Sequence, residues 1–270
     1  MKIQILGSGA WGGIPAPFCS CRVCSTATED HLSKNARTRP QLLFTSADSS
    51  FLLEVSPDIR LQSTRWRLPP IRNFVISHYH FDHMRGLYEL HAYMKQMSPG
   101  AVVHCSSRTS AVIRQELGYL PLEINTVRPF EPFRIFDFTI TPLPVYHEYA
   151  QDDALPVESL ENTFGYLVEC NGKRAAYLAD YYRIPERVVE MVRGIPIIIA
   201  DGTYLLTDGF RDMKRNHVHG GDITSLMQEF GAATTYYHSI SHLTHKTHDE
   251  IQSLLPPTHI ATYDGMWLLE

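Results

Sequence analysis

Four side chains that commonly bind metal ions lie within six residues of this chain, in the segment His78-Tyr79-His80-Phe81-Asp82-His83. The segment directly follows an apolar run, which predicts a turn at the end of a strand. In an extended segment, residues two apart project to the same side, so His78 and His80 can converge on one ion while Asp82 and His83 turn toward a second. Imidazole and carboxylate are ligands that zinc, manganese and iron accept. The spacing therefore predicts one motif that serves two adjacent metal sites.

Further polar side chains follow other apolar runs. His147 comes just after the run 139–145, and Asp180 just after the run 175–179. Either residue alone is typical of an ordinary turn or cap, but the repetition of the same placement favours a shared site. A strand-like run at 235–237 opens into a turn that contains four histidines, which are His238, His242, His245 and His248. At least one of these four is predicted to bind metal.

The cysteines indicate a second kind of site. Cys19, Cys21 and Cys24 lie in one short segment, whereas Cys105 and Cys170 are isolated at the ends of strand-like runs. Clustered thiols in a reducing compartment favour metal binding over a disulfide framework. The two isolated cysteines are predicted to be small buried residues without chemistry.

The whole chain has 270 residues, a formal net charge of −5 and no linker-like break in composition, which predicts a single domain spanning 1–270. The acidic balance argues against nucleic acid as a partner. No stretch has the length of a membrane span and the first residues lack a signal-peptide pattern, so a soluble, cytoplasmic protein without a membrane partner is expected. Oligomeric state is left open, with a homodimer among the alternatives.

Strand-like runs dominate and alternate with helical ones, a mixture that suits two packed sheets with helices outside them. Strands are predicted at 2–6, 41–44, 51–55, 73–77, 102–105, 138–145, 163–169, 174–178 and 196–200. Helices are predicted at 87–97, 109–117, 185–192 and 222–230. The acidic, unpatterned segment from Glu148 to Asn162 begins beside a candidate ligand and is interpreted as a lid.

These residues together resemble the metallo-β-lactamase superfamily. The order is His-x-His-x-Asp-His, then a strand-end histidine, a strand-end aspartate and a late histidine, and it covers essentially the whole chain. Within that superfamily, three segments resemble the cyclic-phosphate phosphodiesterases of phosphonate breakdown, or PhnP-like enzymes. They are Gly7-Ser8-Gly9 leading into Trp11-Gly12-Gly13, the cysteine segment, and Tyr263-Asp264-Gly265-Met266. The resemblance implies an α/β fold, a four-layer αββα sandwich.

The resemblance also implies a ligand set of two divalent active-site metals, zinc or manganese, and one structural zinc. One active-site metal would be held by His78, His80 and His147, the other by Asp82, His83 and His242, with Asp180 bridging them. Asp82 is counted among the catalytic residues as well. The structural zinc would be held by Cys19, Cys21, Cys24 and His245. This assignment matches the family's two late histidines, three apart, to positions 242 and 245 rather than to 238 and 242.

The activity so implied is hydrolysis of a small cyclic or nucleotide-like phosphodiester, with hydroxide bound to the two metals as the nucleophile. A histidine would protonate the leaving group, and both His217 and His219 fit, with a slight preference for His219. Arg37 and Arg39 are candidates for binding the phosphate. Two alternatives stay open, a transfer-RNA 3′-end endonuclease-like hydrolase and a non-catalytic zinc-stabilised binding protein of the same fold.

Overall fold

The computed structural model describes residues 1–96, 100–147, 162–207, 217–218 and 220–269. Its strands form two seven-stranded sheets. The first sheet has the order β14-β1-β2-β3-β4-β5-β6, and its pairs are antiparallel from β14 to β3 and parallel from β3 to β6. Its strands are β1 (Lys2–Gly7), β2 (Gln41–Thr45), β3 (Ser50–Leu53), β4 (Asn73–Val75), β5 (Ala101–Cys105), β6 (Leu122–Thr126) and β14 (Trp267–Leu269).

The second sheet has the order β13-β12-β11-β10-β9-β8-β7. Its pairs are antiparallel from β7 to β10 and parallel from β10 to β13. Its strands are β7 (Phe133–Ile135), β8 (Phe138–Val145), β9 (Thr163–Cys170), β10 (Lys173–Tyr177), β11 (Ile197–Asp201), β12 (Thr234–His238) and β13 (His259–Ala261). Each sheet thus combines antiparallel and parallel halves.

The helices lie between strands in the chain. They are α1 (Arg22–Glu29), α2 (Ile59–Arg65), α3 (Phe81–Met84), α4 (His91–Gln96), α5 (Ser107–Leu117), α6 (Glu186–Val192), α7 (Gly220–Phe230) and α8 (His248–Leu254). None of the helices in the described part of the chain is both long and apolar enough to cross a membrane.

Three apolar clusters define the layers. The first joins inward-facing side chains of both sheets, such as Phe44 and Phe51 from one and Phe138 and Tyr166 from the other. The second covers the outer face of the second sheet with α6, α7 and α8, and the third covers the outer face of the first sheet with α2, α4 and α5. Burying one such side chain contributes roughly 1.5–3 kcal/mol. The four-layer αββα sandwich expected from the sequence is confirmed.

The predicted strands all occur, with shifts of a few residues at their ends. The helix predicted at 87–97 is wrong in extent, because a 3₁₀ turn occupies Arg85–Leu87 and α4 begins only at His91, while residue 97 lies outside the described residues. Four helices and four strands were not predicted from the sequence, and they are α1, α2, α3, α8, β6, β7, β13 and β14. Helix α8 could have been predicted from the sequence, because Thr247 and Glu250 have the spacing of a capping box, which they form at its start.

The topology brings the candidate site together at one edge of the sandwich. Strands β4, β8, β10 and β11 end beside His78, His147, Asp180 and Asp201, respectively. In open α/β sheets, ligands bind beyond the carboxyl ends of the strands, where loops and helix starts converge. The segment after β4 is also tied to the residues that follow β3, since Val55 N–H donates to His83 O at 2.8 Å and Gly86 N–H donates to Val55 O at 2.9 Å.

His104 is a buried neutral histidine that links the two sheets. Its ring stacks on Phe133 with centroids 4.9 Å apart. Its Nδ1 accepts from the Asn125 amide at 3.1 Å and its Nε2–H donates to Asn73 Oδ1 at 3.3 Å. Burial lowers the pKa of His104 to about 4.

We expect this histidine to make the fold acid-sensitive. A folded-state pKa below the unfolded value means that protonation favours the unfolded chain, so the contribution is present above about pH 6.5 and is lost as pH falls toward about 4. In urea unfolding, His104→Gln should lose less stability than wild type between about pH 7.5 and 5, by on the order of 1–2 kcal/mol. The other histidines are common to both proteins and cancel. Equal losses in the two proteins would contradict this role.

Candidate functional site

The hexad of the sequence analysis is a turn followed by a short helix. His78 and His80 lie in the turn after β4, whereas Asp82 and His83 lie on α3, which begins at Phe81. The extended geometry assumed from the spacing is therefore wrong for the second half of the motif. The helical turn brings the centre of the His83 ring to 4.2 Å from that of His78, and the ring centres of His78 and His80 lie 4.5 Å apart, so the division of the motif between two metals stays a prediction.

Asp180 lies at the centre of the cluster. Its Oδ2 atom is 3.4 Å from His83 Nε2, 3.8 Å from His147 Nε2 and 4.0 Å from His78 Nε2. His147 Nε2 also lies 3.1 Å from His80 Nδ1. Potential metal-binding groups of three occur here in overlapping sets, which are His78 with His80 and His147, His78 with His83 and Asp180, and His147 with Asp180 and His217.

Two ring nitrogens in the cluster lack hydrogen-bond partners. The Nδ1 atoms of His78 and His83 lie 2.9 Å from Ser77 Oγ and 3.2 Å from Glu54 Oε1, respectively, so their Nε2 atoms face the cluster. Among the described residues, neither Nε2 has a hydrogen-bond partner, although Asp82 Oδ2 lies 3.3 Å from that of His83. Buried polar atoms normally have hydrogen-bond partners. Metal ions would be suitable partners for these two Nε2 atoms, because both lie near the Asp180 carboxylate.

The pKa values of these groups show how strongly they interact. Burial holds the pKa of His78 well below its usual value, and the neighbouring histidines lower it further. For His83 burial acts the same way, but the carboxylates of Asp82, Asp180 and Glu54 outweigh it and raise its pKa well above the usual value. Burial raises the pKa of Asp180, yet the surrounding histidines hold it well below the usual range. The site therefore keeps its carboxylate ionised.

Glu54 supports the cluster from behind and was missed from the sequence. Its side chain is fully buried and its φ is 68°. One carboxylate oxygen accepts from Ser77 N–H at 3.2 Å, and the other lies 3.2 Å from His83 Nδ1. Such an outer partner fixes the orientation of a ligand histidine and raises its basicity. The signal was an acidic residue directly after the apolar run Phe51-Leu52-Leu53.

His217 is also in the cluster. Its Nδ1 lies 2.6 Å from Asp201 Oδ2, and its Nε2 lies 3.9 Å from Asp180 Oδ2. Burial opposes a charge on His217, but the carboxylates of Asp201 and Asp180 outweigh it and raise its pKa to about 9. Asp201 itself is held by Thr203, whose N–H and hydroxyl donate to Oδ1 at 2.9 and 2.7 Å. His219, slightly preferred from the sequence, lies outside the described residues.

Asp201 was missed although it obeys the rule that found Asp180. It ends the apolar strand β11, just as Asp180 follows β10, and these two strands are parallel neighbours.

The predicted lid, from Glu148 to Asn162, falls almost wholly outside the described residues, which exclude 148–161.

The three clustered cysteines meet His242, and the sequence assignment of the late histidines is wrong. His242 Nδ1 lies 3.4 Å from Cys19 Sγ and 3.8 Å from Cys21 Sγ, and with Cys24 these residues form a potential four-ligand group. His245 instead has a φ of 54° at the end of a 3₁₀ turn, and its carbonyl accepts from Arg22. The left-handed backbone at His245 ends the 3₁₀ turn. His242, at the start of that turn, is the histidine that lies against the cysteine side chains.

The reason for this pairing lies in tertiary structure. Gly9 and Ile240 form an isolated parallel bridge, with Ile240 N–H donating to Ser8 O at 2.9 Å and Ala10 N–H donating to Ile240 O at 3.2 Å. This bridge brings the glycine-rich loop beside the late turn, so that His242 meets the cysteine segment.

The cysteine group fits a zinc ion. Burial raises the pKa of Cys24 to about 12, so a thiolate at that position requires a neighbouring cation. The Ala16 N–H donates to Cys24 Sγ at 3.4 Å, which supports a charged sulfur. Three thiolates and one imidazole are a common structural zinc set. Cys105 and Cys170 are buried apart from this group, as predicted.

With His242 at the cysteines, the second active-site metal predicted from the sequence loses one of its expected ligands. His238 does not take the place of His242 as a ligand, because its Nε2–H donates a hydrogen bond to Gly7 O at 2.8 Å and its Nδ1 lies 3.0 Å from Ser239 Oγ. In the described part of the chain, Asp82, His83 and Asp180 remain for this metal, with His217 beside them. The predicted set of seven is thereby corrected to six.

The predicted phosphate contacts of Arg37 and Arg39 are also corrected. Arg37 is buried, and its guanidinium donates to Ser8 Oγ at 2.9 Å and to the carbonyl of Thr262. Arg39 forms an ion pair with Asp58 at 2.8 Å. Both arginine side chains bind other parts of the protein, and each joins segments that are distant in the chain.

A cavity of about 400 Å³ opens onto the cluster. Its described lining consists of Trp11, His80, Phe81, Asp82, His147, Asp180, Tyr204 and His217. Sites for small molecules usually have 300–1,000 Å³. The cavity can hold one small ligand against the candidate metal cluster.

Comparison with known proteins identifies the family. A family profile described as "Beta-lactamase superfamily domain" matches residues 50–240. The chain is also 26% identical over 278 residues to an octanoyltransferase of Porphyromonas gingivalis, an alignment that covers 98% of this chain and 51% of that protein. The chain therefore spans about half the length of this curated relative.

Two solved structures share the fold over nearly the whole chain. One is a diphosphatase of the PhnP family, with a TM-score of 0.81 and 26% identity, covering 99% of this chain and 97% of that one. The other is zinc-bound PqqB from Methylobacterium extorquens, with a TM-score of 0.82, 22% identity and 99% coverage of both chains.

The two late histidines can be separated by their effect on zinc. We expect His242→Ala and Cys21→Ser each to lose about one bound zinc and to lower the thermal midpoint, because a closed zinc site contributes folding energy. His245→Ala, the matched control three residues away, should keep its zinc. Metal content by elemental analysis and melting by circular dichroism measure both effects. Zinc loss in His245→Ala with retention in His242→Ala would reverse the assignment.

Proposed function

Because this chain belongs to the beta-lactamase superfamily, whose members are mostly metal-dependent hydrolases, we propose that it hydrolyses small phosphodiesters, cyclic or nucleotide-like. The observation that carries the proposal is the buried Asp180 carboxylate, which has the ring nitrogens of four histidines within 4.0 Å of one oxygen. Such a cluster suits two adjacent divalent ions, zinc or manganese, with a shared carboxylate.

In this proposal His78, His80 and His147 would hold one ion and Asp82 and His83 would hold the other, with Asp180 as a further ligand of the pair. Divalent ions bound there would lower the pKa of water to near neutrality and offset charge on the phosphoryl oxygens. Glu54 and Ser77 keep the ring nitrogens of His83 and His78 aimed at the site. The protein thus contributes ligand side chains that are held in place and mostly buried from solvent.

His217 is proposed to protonate the leaving oxygen. Its Nδ1–H donates to Asp201, which leaves Nε2 directed toward the cluster. Burial opposes a charge on His217, but the Asp201 carboxylate raises its pKa, which favours a proton on Nε2 that can pass to a developing alkoxide. Thr203 fixes the Asp201 carboxylate, so the imidazole does not need to reorient during the transfer.

The cavity supports a small substrate. Its described lining includes neither lysine nor arginine, so the phosphate would be bound by metal ions rather than by cationic side chains. The endonuclease alternative needs a basic surface for RNA, and the net charge of −5 does not favour one. The likeness to a diphosphatase of the PhnP family supports reaction at phosphorus. The octanoyltransferase is about twice as long as the match, so its transferase activity is not carried over.

The proposal is tested with bis-p-nitrophenyl phosphate and with a small panel of cyclic, linear and diphosphate esters, using protein loaded with Mn²⁺ or Zn²⁺. Wild type should release p-nitrophenolate, and Asp180→Asn should lose both active-site metal and at least about a hundredfold in kcat/KM. Loaded wild-type protein that is inactive with either metal on every substrate would favour a non-catalytic binding protein. Wild-type turnover by Asp180→Asn would remove this residue from the site.

The proton donor is tested with leaving groups of different basicity. We expect His217→Gln to lose about 10²–10⁴-fold in kcat on an alkyl phosphodiester, whose alkoxide needs a proton. The loss on a p-nitrophenyl ester should be much smaller, because that anion leaves unprotonated. Metal content should not change. Equal losses on both esters together with loss of metal would make His217 a metal ligand instead.

A further inference from the structure

Two large aromatic side chains lie exposed at the mouth of the candidate site. Trp11 is 63% exposed and Phe81 is 57% exposed, and both line the cavity that contains Asp180 and His217. Isolated exposed apolar residues are common, but two on the rim of one polar cavity form a patch that costs hydration free energy. Such a patch at a site indicates an apolar, flat part of a ligand.

An ion pair contacts the backbone of Trp11 and the ring of Phe81. Arg39 Nε–H donates to Trp11 O at 3.0 Å, and its guanidinium carbon lies 5.8 Å from the centre of the Phe81 ring. Asp58 holds the same guanidinium at 2.8 Å and also accepts from Arg39 N–H at 2.9 Å. The charge of Arg39 is therefore offset by Asp58 within the fold, and the same side chain links the Trp11 backbone to α3 at Phe81.

The lining divides into two chemical parts. The deep part is histidine and carboxylate, which suits metal ions and the phosphate that they bind. The outer part is aromatic, and the described lining includes neither a lysine nor an arginine that could bind a second phosphate or a carboxylate. A ligand that fits both parts has one phosphate next to a planar ring.

We propose that Trp11 and Phe81 form a stacking subsite for a nucleobase, so that the substrate is a nucleotide ester whose base lies on this rim while its phosphate lies at Asp180. This inference rests on the proposed function and narrows its substrate class. Aromatic side chains bind bases through their π faces with little dependence on base identity. The subsite therefore predicts preference for nucleotides over other phosphodiesters, with weak discrimination among bases.

Two esters with the same leaving group isolate the subsite. Thymidine 5′-p-nitrophenyl phosphate and methyl p-nitrophenyl phosphate both release p-nitrophenolate, but only the first has a base. Wild type should prefer the nucleoside ester in kcat/KM. Trp11→Ala should lower the ratio of the two kcat/KM values by about fivefold to a hundredfold, the range seen when base-stacking aromatics are truncated.

Matched variants identify the interaction as stacking. Trp11→Phe keeps an aromatic face and should retain most of the preference, whereas Trp11→Leu keeps apolar bulk and should lose it. Phe81→Leu should also reduce the ratio. Tyr119→Ala is the control, because Tyr119 is similarly exposed at 61% but does not line the cavity, and its ratio should equal that of wild type.

Binding provides a readout that is independent of turnover. Adenosine 5′-monophosphate should quench tryptophan fluorescence of the wild-type protein more than ribose 5-phosphate does, and Trp11→Phe should remove the difference. If loaded wild type hydrolyses neither these two esters nor any substrate of the panel above, the proposed function fails, and the quenching experiment alone decides the subsite. If both esters are hydrolysed with equal kcat/KM, or if Trp11→Ala leaves the ratio unchanged, the subsite is overturned while the hydrolase proposal stands.

Discussion

The structure depends on the burial of one carboxylate among imidazoles. Asp180 is almost inaccessible, and four histidine ring nitrogens surround one of its oxygens at 3.4–4.0 Å. Taking these groups out of water is costly unless their charges and lone pairs find partners. The outer nitrogen of His78 lies 2.9 Å from Ser77 Oγ and that of His83 lies 3.2 Å from Glu54 Oε1, which leaves their inner nitrogens for a cation. The two sheets hold this arrangement because they deliver each group from a strand end.

A second constraint links the ends of the chain. Asp264 accepts from the N–H and hydroxyl groups of both Ser8 and Thr38 at 2.6–2.8 Å, while Arg37 crosses the same region. This network and the Gly9–Ile240 bridge place the glycine-rich loop between the metal cluster and the cysteine group. Trp11, on that loop, lines both the active-site cavity and a smaller one beside the cysteines. A structural zinc would thus stabilise the loop that forms the rim of the active site.

Much of the cluster could be predicted because its residues obey a local rule. The placement of ligands at the ends of apolar runs identified His78, His80, His147 and Asp180. The strand and helix pattern indicated two packed sheets with helices outside them, and the family resemblance implied the four-layer sandwich. The same rule would have found Glu54 and Asp201. They were missed because an acidic residue after a strand is usually an ordinary cap, and only the third dimension places it behind a histidine.

The sequence by itself determined the kinds of ligand, their order and the fold that collects them, because hydrophobic periodicity and ligand type are local properties. Tertiary structure decided which partners each side chain meets. Spacing could not distinguish His242 from His245, since the choice depends on a parallel bridge between segments more than 200 residues apart in the chain. Charge alone could not show that Arg37 and Arg39 are used inside the fold. The aromatic rim likewise exists only because folding leaves Trp11 and Phe81 exposed beside the buried cluster.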